Sequence, residues 1–342
     1  MTLVSIQSDQ AFSLGIGKIK PLVKLLANDG VKLADLLMGT GIQLNHLALY
    51  DATIQHWQYF KLIENAQKLS PDPAFALRLG EQLYINHDGL LACRVMSCQN
   101  PSQAMRLLSD YQSLLTTLFH LKFTEQSELA VFSANPLFDF EPCLPYFIEY
   151  TFASIYALGK FCTASQEFPM RYEFTHDGTN KRARYHAFFG DDIQFNCRQN
   201  RVIIPRQILA MPFIFANEDS AQKNDKLCQD KIRLVHQNTS IIEQVRQHII
   251  KTQFSETSLN SVAAKLCMSP RTLRRHLNAE NVSYKALLEK ERKRLVRRQL
   301  NRPIAIKQVA AELGYSDASS FSRAFKTWFG ISPQTYRAQH HT

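Results

Sequence analysis

The 342-residue sequence has no Cys-x-x-Cys pair, and its seven cysteines are an odd number at irregular spacing (Cys93, Cys98, Cys143, Cys162, Cys197, Cys228, Cys267). Neither a zinc ribbon nor a thioredoxin-type pair fits that pattern, and apolar neighbours mark most of them as reduced core residues. His87, Asp88, Cys93 and Cys98 lie close together but not at a ligand spacing, so neither metal nor cofactor is expected. Glycine-rich phosphate loops are missing too: GIGKIK at 15–20 is not GxGxxG and has no strand–turn–helix around it. Ser, His and Asp are scattered without a nucleophile elbow, which argues against an enzyme. The N-terminus lacks a basic region followed by an apolar run, so no secretory leader is read. The most apolar long run, Cys143 to Cys162, carries Glu149 and Lys160 and reads as a buried helix, not a membrane span. A cytoplasmic protein with no membrane partner is the expectation, and the glycosylation-like triplets Asn238-Thr239-Ser240 and Asn281-Val282-Ser283 are then chance matches.

A hydrophobic fraction of 45% supports a real core, and the length suits two or three domains. Charge is unevenly placed. The net charge is +10, yet Ser240–Thr342 holds 18 Lys+Arg against 7 Asp+Glu while the rest holds 22 against 23. All of the positive excess therefore lies in the last third. Such asymmetry joins a domain for a polyanion to one that is not. Nucleic acid is the leading polyanion, and an anionic membrane surface is the alternative.

Within that third, Ile306 to Arg337 reads as a short helix, a tight turn, a second helix, a Gly stop and a third short helix. Ile306, Val309, Ala310 and Leu313, then Phe321, Ala324, Phe325 and Trp328, recur at helical spacing. Gly314 sits at the turn, and Asp317 is placed to cap the next helix. Ser319, Ser320, Ser322, Arg323 and Lys326 are left on the outer face. Phe325 and Trp328 share a face with Phe321, which makes them core and not a base-stacking platform. An earlier unit repeats the pattern: a helix over Leu259–Leu266, a turn at Met268-Ser269, and a helix from Pro270 to Glu280 capped by Ser269. Leu273 and Leu277 face inward there, and Arg271, Arg274 and Arg275 face outward. Arginine matches guanine O6 and N7 in a bidentate geometry and also binds phosphate, although plain surface charge is the alternative. Two helix-turn-helix units of this kind are shaped for major grooves. Between them Ser283–Leu300 reads as a helix of ~27 Å, suited to holding two readers apart by roughly one DNA turn, about 34 Å. Its charge run is a solvated face with some residues touching phosphate.

The remainder reads as α+β around one core. Short helices fill Pro21–Leu69, separated at Gly30, Gly39 and Gly41, and another spans Asp72–Leu83. His87-Asp88-Gly89 is a turn, and Leu90–Ser97 is helix or strand. Pro101 opens a helix through Phe119. Leu121–Glu125 with Glu128–Ser133, and Ile193–Asn196 with Arg201–Pro205, read as two hairpins. Arg171–His176 is a strand, Pro142–Thr163 a long apolar helix, and Lys181–Phe189 a helix ended by Gly190. His176-Asp177-Gly178, near Arg171 and Arg182, is either a structural turn or part of a polar lining (Arg171, His176, Arg182) for an anionic ligand. The polar stretch Asn217–Asn238, a linker or a solvated helix with helical pieces at Leu227, Ile232 and Leu234, marks the domain boundary.

The stretches AELGYSDASSFSRAFKTWFGISPQTYR and VAAKLCMSPRTLRRHLNAENVSYKALLEKER resemble the two halves of the DNA-binding domain of the AraC/XylS family of bacterial transcription regulators, over about Ser240 to Ala338. Less specifically, LRLGEQL, GLLACRVMSCQNPSQAMRLLSDY, RYEFTHDGTNKRARYHAFFG and IQFNCRQNRVIIP resemble the effector domain labelled arabinose-binding-domain type. That subgroup includes ornithine- and arginine-utilisation regulators, so the label does not make arabinose the ligand. The stretch does not resemble the cupin barrel of the arabinose regulator. The resemblance implies DNA-facing roles for Arg271, Arg274 and Arg275, with Thr272 in the same reader, and for Ser319, Ser322 and Arg323, with Ser320 beside them. Ser269 and Lys326 are candidate phosphate contacts. Because short Ser side chains make few discriminating contacts, the Arg-rich helix is expected to choose the sequence.

The expected architecture is an α+β N-terminal effector domain, mostly helical with small β-hairpins, plus an all-α C-terminal domain of two helix-turn-helix units joined by a long helix. The expected domains are 1–216 for effector binding and dimerisation, a 217–238 linker, and 239–342 for DNA. The expected function is a sequence-specific transcription regulator, responsive to a small-molecule effector and placing two recognition helices in successive major grooves. The resemblance further implies a homodimer, and RNA polymerase contact with activation as the usual outcome and repression as the alternative. Three alternatives stay open: a DNA-binding protein without ligand, a thiol-responsive regulator using Cys93 and Cys98, and an enzyme with the basic third as adaptor.

Overall fold

The computed structural model describes residues 13–48, 52–83, 89–115, 118–137, 141–165, 168–237, 240–252, 254, 257–266, 268–300 and 304–340. The expected turn at His87-Asp88 and the residue Cys267 lie outside them. Two compact units part between Gln229 and Asp230.

The first unit begins with a small antiparallel pair, β1 (Ser13–Gly15) and β2 (Thr53–Gln55), with short helices between and after them. Its main sheet contains β3 (Phe119–Glu125), β4 (Leu129–Pro136), β5 (Arg171–Glu173), β6 (Ile193–Gln194) and β7 (Arg201–Pro205), in the order β3-β4-β7-β5-β6. Register aligns Phe123, Phe132, Val202, Tyr172 and Ile193 in one row across it. Successive side chains alternate between faces, so this row defines the covered face and Arg171, Glu173 and Arg201 fall on the other. There Arg201 grips Glu173 with two bonds, Nε to Oε2 at 2.5 Å and Nη2 to Oε1 at 3.1 Å.

The covered face is roofed by the helices Pro101–Asp110 and Leu144–Thr163. The latter is apolar almost all round, as a helix buried on most sides must be. Phe147, Ile148, Phe152, Ile155 and Leu158 are all buried along it. The helix Phe75–Leu83 packs on it at Gly80, where an added Cβ would lie 2.7 Å from both the Ala153 Cβ and the Tyr150 carbonyl oxygen. A glycine is needed there because the two helices come too close for any side chain.

Several expected elements differ. The stretches at Ile193 and Arg201 do not form a hairpin: β5 lies between them, parallel to β6 and antiparallel to β7. Alternation specifies which face a residue takes but not which strand is its neighbour. The helix from Pro101 ends at Asp110, and Phe119 opens β3, whose Leu121 N–H is accepted by the Gln112 side chain at 2.8 Å. The ambiguous segment after His87 is a helix, Gly89–Met96. The polar boundary stretch, open between a linker and a solvated helix, is one helix over Glu218–Gln237. Its first half is tied to the first unit through Asp225, which accepts from Arg94 Nε at 3.1 Å and Tyr111 OH at 2.9 Å.

Every regular element among the second unit's described residues from Ile241 to His340 is a helix. Ile241–Lys251, Leu259–Lys265 and Pro270–Ala279 enclose one core built on Val245, Ile249, Val262, Leu273 and Leu277. Ile306–Glu312, Ala318–Phe329 and Pro333–His340 enclose a second, built on Val309, Leu313, Phe321 and Phe325. The helix Tyr284–Leu300, about 26 Å long, serves both. Its Leu287 is buried in the first core, Val296 and Leu300 in the second, and Leu295 packs against each. Gly314 (φ +74°) and Gly330 (φ +78°) take left-handed backbone at the turn and the stop.

Gly80→Ala is expected to cost roughly 1–3 kcal/mol through overpacking. Thermal unfolding of the full chain should show a lowered midpoint, and an unchanged midpoint would show that the helices can part freely.

Candidate nucleic-acid interface

In the first reader Ser269 caps the helix Pro270–Ala279, its Oγ accepting from the Thr272 N–H at 3.1 Å and lying 2.8 Å from Thr272 Oγ1. Leu273 and Leu277 are buried, which fixes the helix's rotation. Arg271, Arg274 and Arg275 are exposed and form no ion pair among the described residues. Three guanidinium groups on one short helix, held outward and unneutralised, present a surface for an anion or a base edge.

In the second reader Asp317 caps Ala318–Phe329: Oδ1 accepts from the Ser320 N–H at 2.7 Å, and Oδ2 from Ser320 Oγ at 2.9 Å. The Ser320 donors hold this carboxyl below its usual range. Ser322 turns back to the Ala318 carbonyl at 2.8 Å. Ser320 and Ser322 are therefore engaged within their own helix, and Ser319, Arg323 and Lys326 form its exposed polar face. Trp328 lies half-buried at the edge of the second core, not on the outer face.

The rod between the readers holds a feature that charge patterning does not disclose. Arg292 lies 4.9 Å from the Tyr315 ring centre, Lys293 5.8 Å from Trp328 and Arg297 5.2 Å from Phe329. Three cations on a face read as solvated thus also lie over the aromatic rim of the second core, Arg297 remaining exposed. On the same stretch of helix, Arg294 pairs with buried Glu291 at 2.5 Å. Burial raises the Glu291 carboxyl, with Arg294 and Arg246 partly offsetting it.

In the first unit, none of Arg171, His176 and Arg182 lines the cavity described below. Arg171 is paired with Asp192 at 3.0 Å on the outer face, and Arg182 is exposed with its guanidinium 5.9 Å from the Phe195 ring. His176 instead joins a buried polar cluster that sequence reasoning missed. Glu149, fully buried, accepts from Lys181 Nζ at 2.9 Å and Tyr185 OH at 2.6 Å, and His176 Nε2 lies 2.8 Å from Tyr185 OH. Burial pushes the imidazole down to about 4, so His176 is neutral and its 3.6 Å approach to Glu149 is not an ion pair. Burial also raises the Glu149 carboxyl, against the pull of Lys181. Lys181 lies thirty-two positions from Glu149, too far for any local motif to reveal.

Between sheet and roof lies a cavity of about 20 Å³, its lining including Phe132, Phe152, Leu158, Phe168, Tyr172 and Val202. The Tyr172 hydroxyl is buried with no hydrogen-bond partner among the described residues. An unmade bond of that kind costs about 1–3 kcal/mol. The alternation of RYEF over 171–174 was the sequence signal that could have placed Tyr172 on the covered face.

Of the pair read as a thiol sensor, Cys93 is exposed and Cys98 is buried. Burial pushes the Cys98 thiol up to about 11, and the Cys143 and Cys162 thiols up to about 12. The reactive thiolate is then scarce. Among the described residues no His, Cys, Asp and Glu group could hold a metal, and no helix is long and apolar enough to cross a membrane.

Two capped reader helices on one rod define a DNA-binding protein of paired helix-turn-helix type. A helix-turn-helix domain family matches residues 262–339, and the arabinose-binding domain of AraC transcription regulators matches residues 30–213. The chain belongs to the AraC family of transcription regulators, and is a DNA-binding regulator with an N-terminal effector-binding domain. It is 25% identical to the ornithine utilization regulator of Pseudomonas aeruginosa over 320 residues, 92% of this chain and 94% of that one. It is 40% identical to the HTH-type transcriptional regulator VirS of Mycobacterium tuberculosis over 84 residues, 24% and 25% of the two chains. The crystal structure of transcriptional regulator CdpR from Pseudomonas aeruginosa is similar at a TM-score of 0.48 and 20% identity, covering 94% of this chain and 98% of that one.

Arg292→Ala is expected to remove about 1 kcal/mol of support from the second reader and to weaken DNA binding, while leaving the slope of log affinity against log salt unchanged. A slope reduced by about one would mean that Arg292 touches phosphate.

Proposed function

We propose that the chain binds promoter DNA as a cytoplasmic homodimer, with the two reader helices of each copy in successive major grooves, and that a small-molecule effector adjusts its occupancy. The observation that carries this reading is the outward, unpaired set Arg271, Arg274 and Arg275 on a helix whose opposite face is locked by Leu273 and Leu277. Ser269, Thr272, Ser319, Ser320, Ser322, Arg323 and Lys326 complete the proposed contact set. The exposed Ser319, Arg323 and Lys326 meet DNA directly, while Ser269, Thr272, Ser320 and Ser322 chiefly set helix geometry. Exposed Met38, Leu44 and Trp57 in the first unit support a dimer contact. Effector binding shifts how Glu218–Gln237 presents the readers, and RNA polymerase contact makes the outcome activation. The relatives named above are regulators, and the reading includes no catalytic step.

Band-shift titration on fragments selected from random DNA tests it. Arg271→Ala with Arg275→Ala should lower affinity roughly a thousandfold, at about 2 kcal/mol for each bidentate contact. Unchanged affinity would sink the assignment.

A further inference from the structure

The first unit's cavity has a lining without Lys, Arg, His, Asp or Glu. A charged ligand would enter it with nothing to replace its water, a cost that excludes carboxylates and amino acids. The polar exception is Tyr172, fully buried, whose hydroxyl lacks a hydrogen-bond partner among the described residues. At about 20 Å³ the space holds a water and little more, so a ligand must displace a side chain. Phe168, Met170 and Phe213 are the lining residues outside any helix or strand, and Phe168 is the one whose ring is seated on a glycine. It sits in the irregular stretch 168–170, outside any helix or strand, so its departure breaks no regular element. Its ring rests against Gly159, where an added Cβ would come within 2.8 Å of it, so the closed position depends on that glycine. The register row sets Tyr172 beside Val202 and Phe132, on the floor beneath the ring's seat.

We propose that this cavity is the effector site, and that the effector is an uncharged, largely hydrocarbon molecule whose single hydrogen-bonding group meets the Tyr172 hydroxyl after displacing the Phe168 ring. This rests on the effector-responsive reading above and names the class of molecule that it requires. The buried cluster of Glu149, His176, Lys181 and Tyr185 contributes no lining residue and is not part of the site.

The test uses the full chain, thermal unfolding, and phenol and benzene as neutral probes, with octanoate and ornithine as charged ones. Phenol should raise the wild-type midpoint saturably, and octanoate and ornithine should not. Phe168→Ala opens the cavity towards the scale of about 150 Å³ at which an apolar hole takes benzene, and should bind both neutral probes at least tenfold more tightly than wild type. Adding Tyr172→Phe to it should weaken phenol about five- to tenfold and leave benzene unchanged. Equal losses for phenol and benzene, a charged probe matching phenol, or no neutral-probe shift in either wild type or Phe168→Ala would overturn the proposal. Band shifts on the same preparations separate the two readings: DNA binding that persists without any probe shift rejects the site alone, whereas a probe shift without DNA binding rejects the regulatory reading.

Discussion

Leu287 is buried in one core of the DNA-binding unit, Val296 and Leu300 in the other, and Leu295 touches both, although all four belong to one helix. A helix cannot bend sharply without proline, glycine or a defect in its hydrogen bonds, so each reader is fixed to the same rod. The direction and separation of the recognition helices follow from that shared burial. The cations of the rod reinforce it: Arg292, Lys293 and Arg297 spread over aromatic rings of the second core. Individually such contacts are worth about 0.5–2 kcal/mol, less than burying one large apolar side chain, about 1.5–3 kcal/mol. The apolar seam therefore sets the geometry, and the cations trim it.

The effector unit solves a different problem. Its sheet is roofed by a helix that is nearly all apolar, which leaves buried polar groups to find partners among themselves. Glu149, Lys181 and Tyr185 do so, and neutral His176 joins them. Tyr172 does not. Within that cluster Glu149 Oε2 and His176 Nδ1 also lack partners among the described residues, and of the buried unpartnered side chains Tyr172 is the one that lines the cavity.

The DNA-binding unit was legible because its signals are local. Periodic apolar residues, a serine and an aspartate at N-caps, and glycines at turns all act within one or two helical turns, and each cap and turn glycine is found in place. The ring contacts of the rod's cations were not legible for the same reason: Arg292 and Tyr315 are twenty-three positions apart, beyond the reach of pattern reading. In the effector unit, alternation located most strands but could not tell that β5 separates β6 from β7. Gly80 was legible only as a glycine inside a helical pattern, since its need comes from Ala153 and Tyr150 on a distant element. The polar lining read at Arg171, His176 and Arg182 was three residues near one another in sequence, which the fold sends to the outer face, a buried cluster and an aromatic edge.

Rigid coupling of the two readers is the central claim, and the spacing of their DNA contacts tests it most directly. Band-shift affinity should be measured on a selected site and on versions with roughly half a helical turn, about five base pairs, and a full turn inserted between the two contacted segments. A rigid rod predicts at least a tenfold loss with the half-turn insertion and no recovery with the full turn, because the readers can neither rotate nor spread apart. Affinity indifferent to spacing would contradict it.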